Sequence, residues 1–286
     1  MIRWGAVLAL TALLGGCATF RERLAPAPGP SALARAYPDQ VWGVRDRQLI
    51  MADGTRFPIH EAGPAKTTEQ ALDQAGIADM FAQPYRRGPQ TTPPKNDPGR
   101  ARHEPLFLKM YGDCASRTFQ ARMRKVLWMP MSAQGGTVNV TTVNGVDRAL
   151  EAVVADLQKL PPEMIKYLVP TAGAYNCRPV AGTARRSMHA YGAAIDISTA
   201  WSDYWVWKGG ENAVWANRIP PQIVAVFERH GFIWGGRWRR FDTMHFEYRP
   251  ELLPGARRPR AGSGTPPPTR QASPQTRARS GVSSTR

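Results

Sequence analysis

The chain has 286 residues, of which 42% are hydrophobic, 21% charged and 9% aromatic, enough apolar material for one sizeable core or two small ones. That balance excludes a wholly disordered or fibrous protein. Lys and Arg outnumber Asp and Glu by 38 to 22, a formal net charge of +16, which in a cytoplasmic protein would point to nucleic acid. The N-terminus argues for a different compartment. Arg3 supplies positive charge, Trp4 to Leu14 form a short apolar stretch, and small residues follow at Gly15 and Gly16, the layout of an export signal. No apolar run reaches the roughly 18 residues of a membrane-spanning helix, so attachment to a bilayer would have to be at one end.

Leu14-Gly15-Gly16-Cys17 resembles the bacterial lipobox, in which the cysteine becomes the lipidated first residue of the mature protein. The resemblance implies a signal peptide over 1–16 and a lipid anchor on Cys17, each buried methylene adding about 0.8 kcal/mol to membrane attachment. The protein would then sit on the periplasmic face of the cell envelope, with no nucleic-acid partner. Ala18, where an Asp commonly retains lipoproteins at the inner membrane, tilts the expectation towards the outer membrane. Residues 17–36, with Ala25-Pro26-Ala27-Pro28-Gly29-Pro30, read as a spacer that cannot pack a core.

Residues 37–104 read as an extension laid on a core. They hold one helical candidate, Thr68 to Phe81, with Ala71, Leu72, Ala75, Ile77 and Met80 at apolar positions, then a Pro/Gly-rich segment from Pro84 to Gly99. The main domain spans 105–253. Val126 to Met129 is a buried-strand candidate, and Thr137 to Thr141 alternates with period two before the turn Asn144-Gly145. A helix follows Asp147, with Ala149, Leu150, Val153 and Leu157 on one stripe, ending before Pro161-Pro162. A second helix starts at Pro220-Pro221, carries Ile223, Val224 and Phe227, and ends at Gly231. Phe232 to Trp234 and Met244 to Tyr248 read as strands. The mixture is α+β: a small antiparallel sheet with flanking helices. Residues 254–286 carry seven Arg and no acid, a tail disordered by composition that either aids solubility or tethers the chain to anionic lipid or wall phosphates.

With Cys17 set aside, Cys114 and Cys177 form an even pair in an exported chain, to be joined as one disulfide or left as two buried thiols. Among the five histidines, His189 and His245 stand out. If 193–198 is extended, Asp196 faces away from the core side of Ile195 and Ile197, and a carboxylate there needs a cation, donors or a metal. His245 projects opposite Met244 and Phe246. Asp242 lies an odd offset from His245, so the chain must bend near Thr243 for both to line one cleft. Two His and one Asp make a three-ligand zinc site with an open position and Asp242 as a spare base, although core or ion-pair roles fit the same spacing. His60, His103 and His230 read as structural. Of the aromatic residues Trp201, Tyr204, Trp205, Trp207, Trp215, Trp234 and Trp238, most are expected in the core and some over a cleft.

The string Ser187-x-His189-x-x-Gly192-x-Ala194-x-Asp196, then Trp234-Gly235-Gly236 and Asp242-x-x-His245-Phe246, resembles the zinc peptidases of bacterial peptidoglycan. These are the D-alanyl-D-alanine carboxypeptidases and L-alanyl-D-glutamate endopeptidases. The similarity extends over about Tyr111 to Tyr248, with Tyr175-Asn176-Cys177-Arg178 and Ala181-Gly182-Thr183 on the approach to the first ligand. It implies one zinc ion per chain, in a cleft, held by His189, Asp196 and His245, with Asp242 as general base. It also implies an arginine at the scissile carbonyl, best matched by Arg178, with Arg185 and Arg186 close by. Ser187, Arg185 and Tyr191 are the expected substrate contacts. The implied activity is trimming or cutting of peptidoglycan stem peptides by a monomer, most simply as a D,D-carboxypeptidase, with the L,D-endopeptidase or a catalytically silent wall-binding lipoprotein as alternatives.

Overall fold

The computed structural model describes residues 28–255. Cys17 with the signal-like segment, part of the spacer and the tail from 256 onward lie outside the described residues. Inside them the chain is α+β, with three small antiparallel sheets rather than one.

The extension is more ordered than its sequence indicates. After α1 (Ala32–Ala36), β1 (Val41–Arg45), β2 (Gln48–Met51) and β3 (Arg56–Pro58) form a meander in the order β1-β2-β3. Arg45 pairs with Gln48 across the two-residue turn Asp46-Arg47, whose φ angles are 50° and 59°. Left-handed conformations at both positions make the hairpin turn that Asn-Gly or Gly-Gly usually signals, and Asp-Arg carries no such signal. The expected single helix over 68–81 is broken. α2 (Thr68–Asp73) is closed at its start by a capping box between Thr67 and Gln70, and Gln74 leaves helical geometry. Asp79 Oδ2 then accepts from Gly76 N at 2.8 Å and from Lys66 Nζ at 2.9 Å, holding a bend before a short 3-10 turn over Asp79–Phe81.

The main domain follows its periodicity closely. After α3 (Glu104–Tyr111) and α4 (Arg117–Gln120), β4 (Met123–Trp128) pairs with β5 (Gly136–Thr141), and α5 (Val146–Leu157) lays its apolar stripe on that hairpin. β6 (Ala194–Asp196), α6 (Pro221–Arg229), β7 (Phe232–Trp234) and β8 (His245–Tyr248) complete the fold, the last sheet having the order β6-β8-β7. Phe227 of α6 stacks on Phe246 of β8 at 3.8 Å between ring centres, so the helix covers the face of the sheet opposite His245. Burying rings of this size stabilises the fold by about 1.5–3 kcal/mol each.

One continuous core joins extension and main domain: Leu33, Leu49 and Ile77 pack with Leu106, Val126, Val153 and Phe246. Polar clamps reinforce the seam. Tyr37 donates to Glu251 at 2.6 Å, and Tyr85 donates to Glu228 at 2.7 Å while accepting from Trp234 N at 2.8 Å. Glu228 is also paired with Arg237 at 2.7 Å, both side chains nearly inaccessible. Removing one partner of such a buried pair costs about 3–5 kcal/mol.

Candidate active site

Strand pairing brings the first two groups together. In the β6–β8 register Asp196 stands opposite His245, on the face away from Phe227, and Asp196 Oδ1 lies 2.9 Å from His245 Nδ1. His189 arrives on a 3-10 turn, Met188–Tyr191, whose start is capped by Ser187: its Oγ accepts from His189 N at 3.3 Å. The turn stops at Gly192, φ 63°, where a Cβ would stand 2.9 Å from Thr141 N, so both conformation and space require glycine. His189 Nε2 then lies 3.2 Å from Asp196 Oδ2 and 3.1 Å from His245 Nδ1. One ligand atom from each residue falls within 4.8 Å of the others.

Partners on the far side of each ring decide what this cluster can hold. His189 Nδ1 contacts the carbonyl of Ala174, and His245 Nε2 lies 3.1 Å from Glu247 Oε2. A carbonyl and a carboxylate only accept, so both of those nitrogens carry a proton, and His189 Nε2 and His245 Nδ1 are the ring atoms that face each other and Asp196. Burial pushes the His245 pKa down, but Asp196 and Glu247 raise it to about 10, so a metal bound at Nδ1 takes the place of a proton there. Two imidazole nitrogens and one carboxylate converging on one point fit a cation, and that donor set fits zinc. Glu247 is positioned to keep its charge: burial pushes its pKa up, but Arg102, the hydrogen bond to His245 and Arg249 hold it down to about 2. Asp196 is likewise held below the usual carboxylate range, its burial outweighed by His189 and His245.

Asp242 faces the same cleft. The strand starts only at His245, and the bend required at Thr243 is present: Thr243 N donates to Asp203 O at 3.0 Å, Thr243 Oγ1 accepts from Asp203 N at 2.7 Å, and His245 N donates to Asp242 O at 3.3 Å. Asp242 N donates to Gly235 O at 3.0 Å, and a Cβ on Gly235 would meet Asp242 O at 2.5 Å. The glycine of Trp234-Gly235-Gly236 thus lets the loop that carries Asp242 close onto β7. Asp242 Oδ1 has no hydrogen-bond partner, and burial together with the charge of Asp196 raises its pKa to about 6.

The cleft measures about 570 Å³ and is lined by the His-Asp-His cluster, Asp242, several arginines and an aromatic wall. Ser187, Arg178 and Arg185 all line it. Arg178 is exposed, its Nη1 donating to Pro179 O at 3.2 Å. It follows the disulfide Cys114–Cys177, Cα–Cα 5.7 Å, the pairing expected from the cysteine count. Arg186 turns away to Asp113 at 2.8 Å and Glu104 at 3.4 Å. Tyr191 is not brought to the cleft. Its ring is buried against Phe107 and Tyr111 at 5.8 and 5.7 Å, because the 3-10 turn that aims His189 outward aims Tyr191 inward.

Of the aromatic residues, Tyr204, Trp205, Trp207 and Trp238 line the cleft, whereas Trp234 is core. Trp205 and Trp207 lie on a 3-10 turn, Trp205–Lys208. His230 pairs with Asp156 at 2.9 Å, and His103 Nδ1 lies 2.9 Å from Ala75 O, both structural as expected. Sequence reasoning missed Glu247, Arg100 and Arg102. For Glu247 a signal existed, since it lies two residues from His245 and so on the same strand face.

Against known families, residues 181–248 match the model described as D-alanyl-D-alanine carboxypeptidase, a zinc-dependent peptidase family. Those residues belong to the D-alanyl-D-alanine carboxypeptidase family. The match contains Arg185, Ser187, His189, Asp196, Asp242 and His245, so the clustered residues of the carboxypeptidase-family segment are the ones it covers. It begins at 181, so the similarity expected over 111–180, Arg178 included, is not part of it. Searches of curated proteins and of solved structures give no match.

Proposed function

We propose that the protein is a zinc-dependent D,D-carboxypeptidase that removes the terminal residue from peptidoglycan stem peptides. The observation that carries this reading is the convergence of three lone-pair donors, His189 Nε2, His245 Nδ1 and Asp196, beside an unpartnered Asp242 carboxylate in an open cleft. His189, Asp196 and His245 would hold one zinc ion, which when bound supplies Lewis acidity and lowers the pKa of water towards about 7. Asp242 is the group that takes the proton from the water attacking the peptide carbonyl, and its raised pKa suits it to hand that proton to the leaving amine. Arg178, the exposed guanidinium on the same wall, is the donor for the oxyanion that develops on the carbonyl oxygen. Ser187 and Arg185 supply polar contacts to the peptide. The Ala174 carbonyl and Glu247 keep the two imidazoles in the tautomers that metal binding needs.

The export-like N-terminus and Cys17 support a lipid-anchored enzyme on the periplasmic face of the envelope, where such peptides are found. The test is to incubate the purified chain with muropeptides of pentapeptide, tetrapeptide and cross-linked type and read the products by mass spectrometry. Loss of one terminal alanine, abolished by chelation and reduced about 10²–10⁴-fold in Asp242→Asn, is the expected result. Scission after the first L-Ala would make it the endopeptidase instead. No cleavage of any substrate by zinc-loaded protein would remove the enzyme reading.

A further inference from the structure

The extension delivers a cation to the cleft that the carboxypeptidase-family segment does not contain. Arg100 lines the cleft although it lies 81 positions before the family match begins at 181. Its guanidinium lies over Trp238, 5.4 Å from the ring centre, and the same ring stands 5.5 Å from that of His245. Arg100 is therefore within the span of about three extended residues of the His-Asp-His cluster. The side chain is only 11% exposed, and its one acidic neighbour among the described ion pairs, Asp97, is 3.5 Å away, so that Nη1 is buried without a hydrogen bond. A buried guanidinium with an unused donor is costly unless something accepts from it.

The backbone beneath Arg100 is held rigidly. Pro98 O accepts from Trp238 Nε1 at 2.8 Å, Gly99 O accepts from the buried Arg249 at 2.5 Å, and Asp97 Oδ1 accepts from Arg240 N at 3.0 Å. Gly99, at φ 86°, is pressed so close to β7 that a Cβ would stand 2.5 Å from Ile233 Cδ1. Arg185 is close enough for its pKa to be pushed down to about 10 by burial and by the charges of Arg100 and Arg102. Arg102 is committed elsewhere, to Arg186 O at 3.0 Å and Glu247 at 3.5 Å. Among the described ion pairs Arg185 meets only the exposed Asp73, at 3.0 Å, with its Nε out of line for a hydrogen bond. Like charges held together on one wall, with donors to spare, attract an anion.

We propose that Arg100, with Arg185 beside it, is the carboxylate-recognising element of the cleft, so that the N-terminal extension sets specificity for an anionic peptide. This rests on the peptidase reading. Planar carboxylates suit guanidinium forks, and the carboxylate would be either the free C-terminus of the peptide or the free α-carboxylate of an internal glutamate.

The experiment compares a stem pentapeptide with two relatives, one amidated at its C-terminus and one amidated at the internal glutamate, using wild type, Arg100→Met, Arg100→Lys and, as a charge control on a distant surface, Arg229→Gln. Methionine keeps packing against Trp238 without the charge. For wild type, one of the two amidations should raise KM about ten- to a hundredfold with little change in kcat, and which one does so identifies the carboxylate. Arg100→Met should raise KM for the parent peptide by a similar factor and abolish the discrimination, Arg100→Lys should restore part of it, and Arg229→Gln should match wild type. An acid-to-amide ratio that is the same in wild type and Arg100→Met for both amidations overturns the proposal. If wild type cleaves nothing, the peptidase reading fails separately, and calorimetric titration of the same peptides into the uncleaving protein decides this one. Weaker binding by Arg100→Met of the acid alone supports it, and equal binding overturns it.

Discussion

Asp242 and Glu247 are buried carboxylates a few residues apart with opposite electrostatic environments. Asp242 has its pKa raised to about 6 by burial and the neighbouring Asp196, so as a base it works only above that range. A cation held by the triad offsets the contribution of Asp196 and moves the value down. In the loaded enzyme kcat/KM should therefore fall as pH drops through a limb at or below about 6, measured as a pH profile on a stem peptide. A limb above about 7 would show that another group is the base. For stability the sign is opposite to that of an ordinary carboxylate: the folded pKa lies above the unfolded one, so in the metal-free protein the contribution of Asp242 is lost as pH rises from about 4 through about 6. Glu247, held down to about 2, stays charged and fixes the His245 tautomer. Glu247→Gln should weaken zinc binding about 10–100-fold in a competitive chelator titration, and an unchanged affinity would show that the Glu247 contact does not matter to the metal.

Among the elements, the segment from Cys177 to Ser187 carries Arg178, Arg185 and Ser187 and has little regular structure of its own, the isolated bridge Pro179–Arg186 apart. Its N-terminal end is pinned by the disulfide to Cys114, across a separation of 63 residues. The chain-entropy model gives about 4 kcal/mol for closing such a loop, as an upper figure. The double variant Cys114→Ser/Cys177→Ser should lower the melting temperature and also reduce kcat/KM, because the wall carrying Arg178 gains freedom. In that background Arg178→Ala should cost less than in wild type. Full additivity of the two losses in a double-mutant cycle would mean that the disulfide does not position Arg178.

Across the molecule, one apolar cluster runs through both the extension and the main domain, so the two are expected to unfold together. Tyr85 is the sharpest probe of that seam: its hydroxyl donates to Glu228 and accepts from Trp234 N and from Arg237 Nε, the last at 3.1 Å. Tyr85→Phe leaves the buried Trp234 N–H unpaired, which should reduce unfolding free energy by about 1–3 kcal/mol in a denaturant titration, with a single transition retained. Two separate transitions would show that the extension folds apart from the domain it covers.

The local signals in the sequence were strong wherever one rule acts alone. Period-3.6 stripes placed the helices now seen at 146–157 and 221–229, a period-two run placed β5, apolar runs marked β7 and β8, and of the two states the cysteine count allowed for Cys114 and Cys177 the structure shows the disulfide. Parity along β8 required a bend at Thr243 for Asp242 and His245 to meet, and the bend is there. The hairpin at Asp46-Arg47 escaped because its left-handed turn uses residues that carry no turn signal, and the helix over 68–81 was overextended because the contacts stopping it come from Lys66 and Asp79. What only tertiary structure decided was which groups share the cleft. Tyr191 lies two residues from His189 yet faces the core, whereas Arg100 lies far from it in sequence and reaches the cleft. Periodicity reports the face of an element on which a side chain lies; which distant segment packs against that face follows from how the apolar surfaces close together.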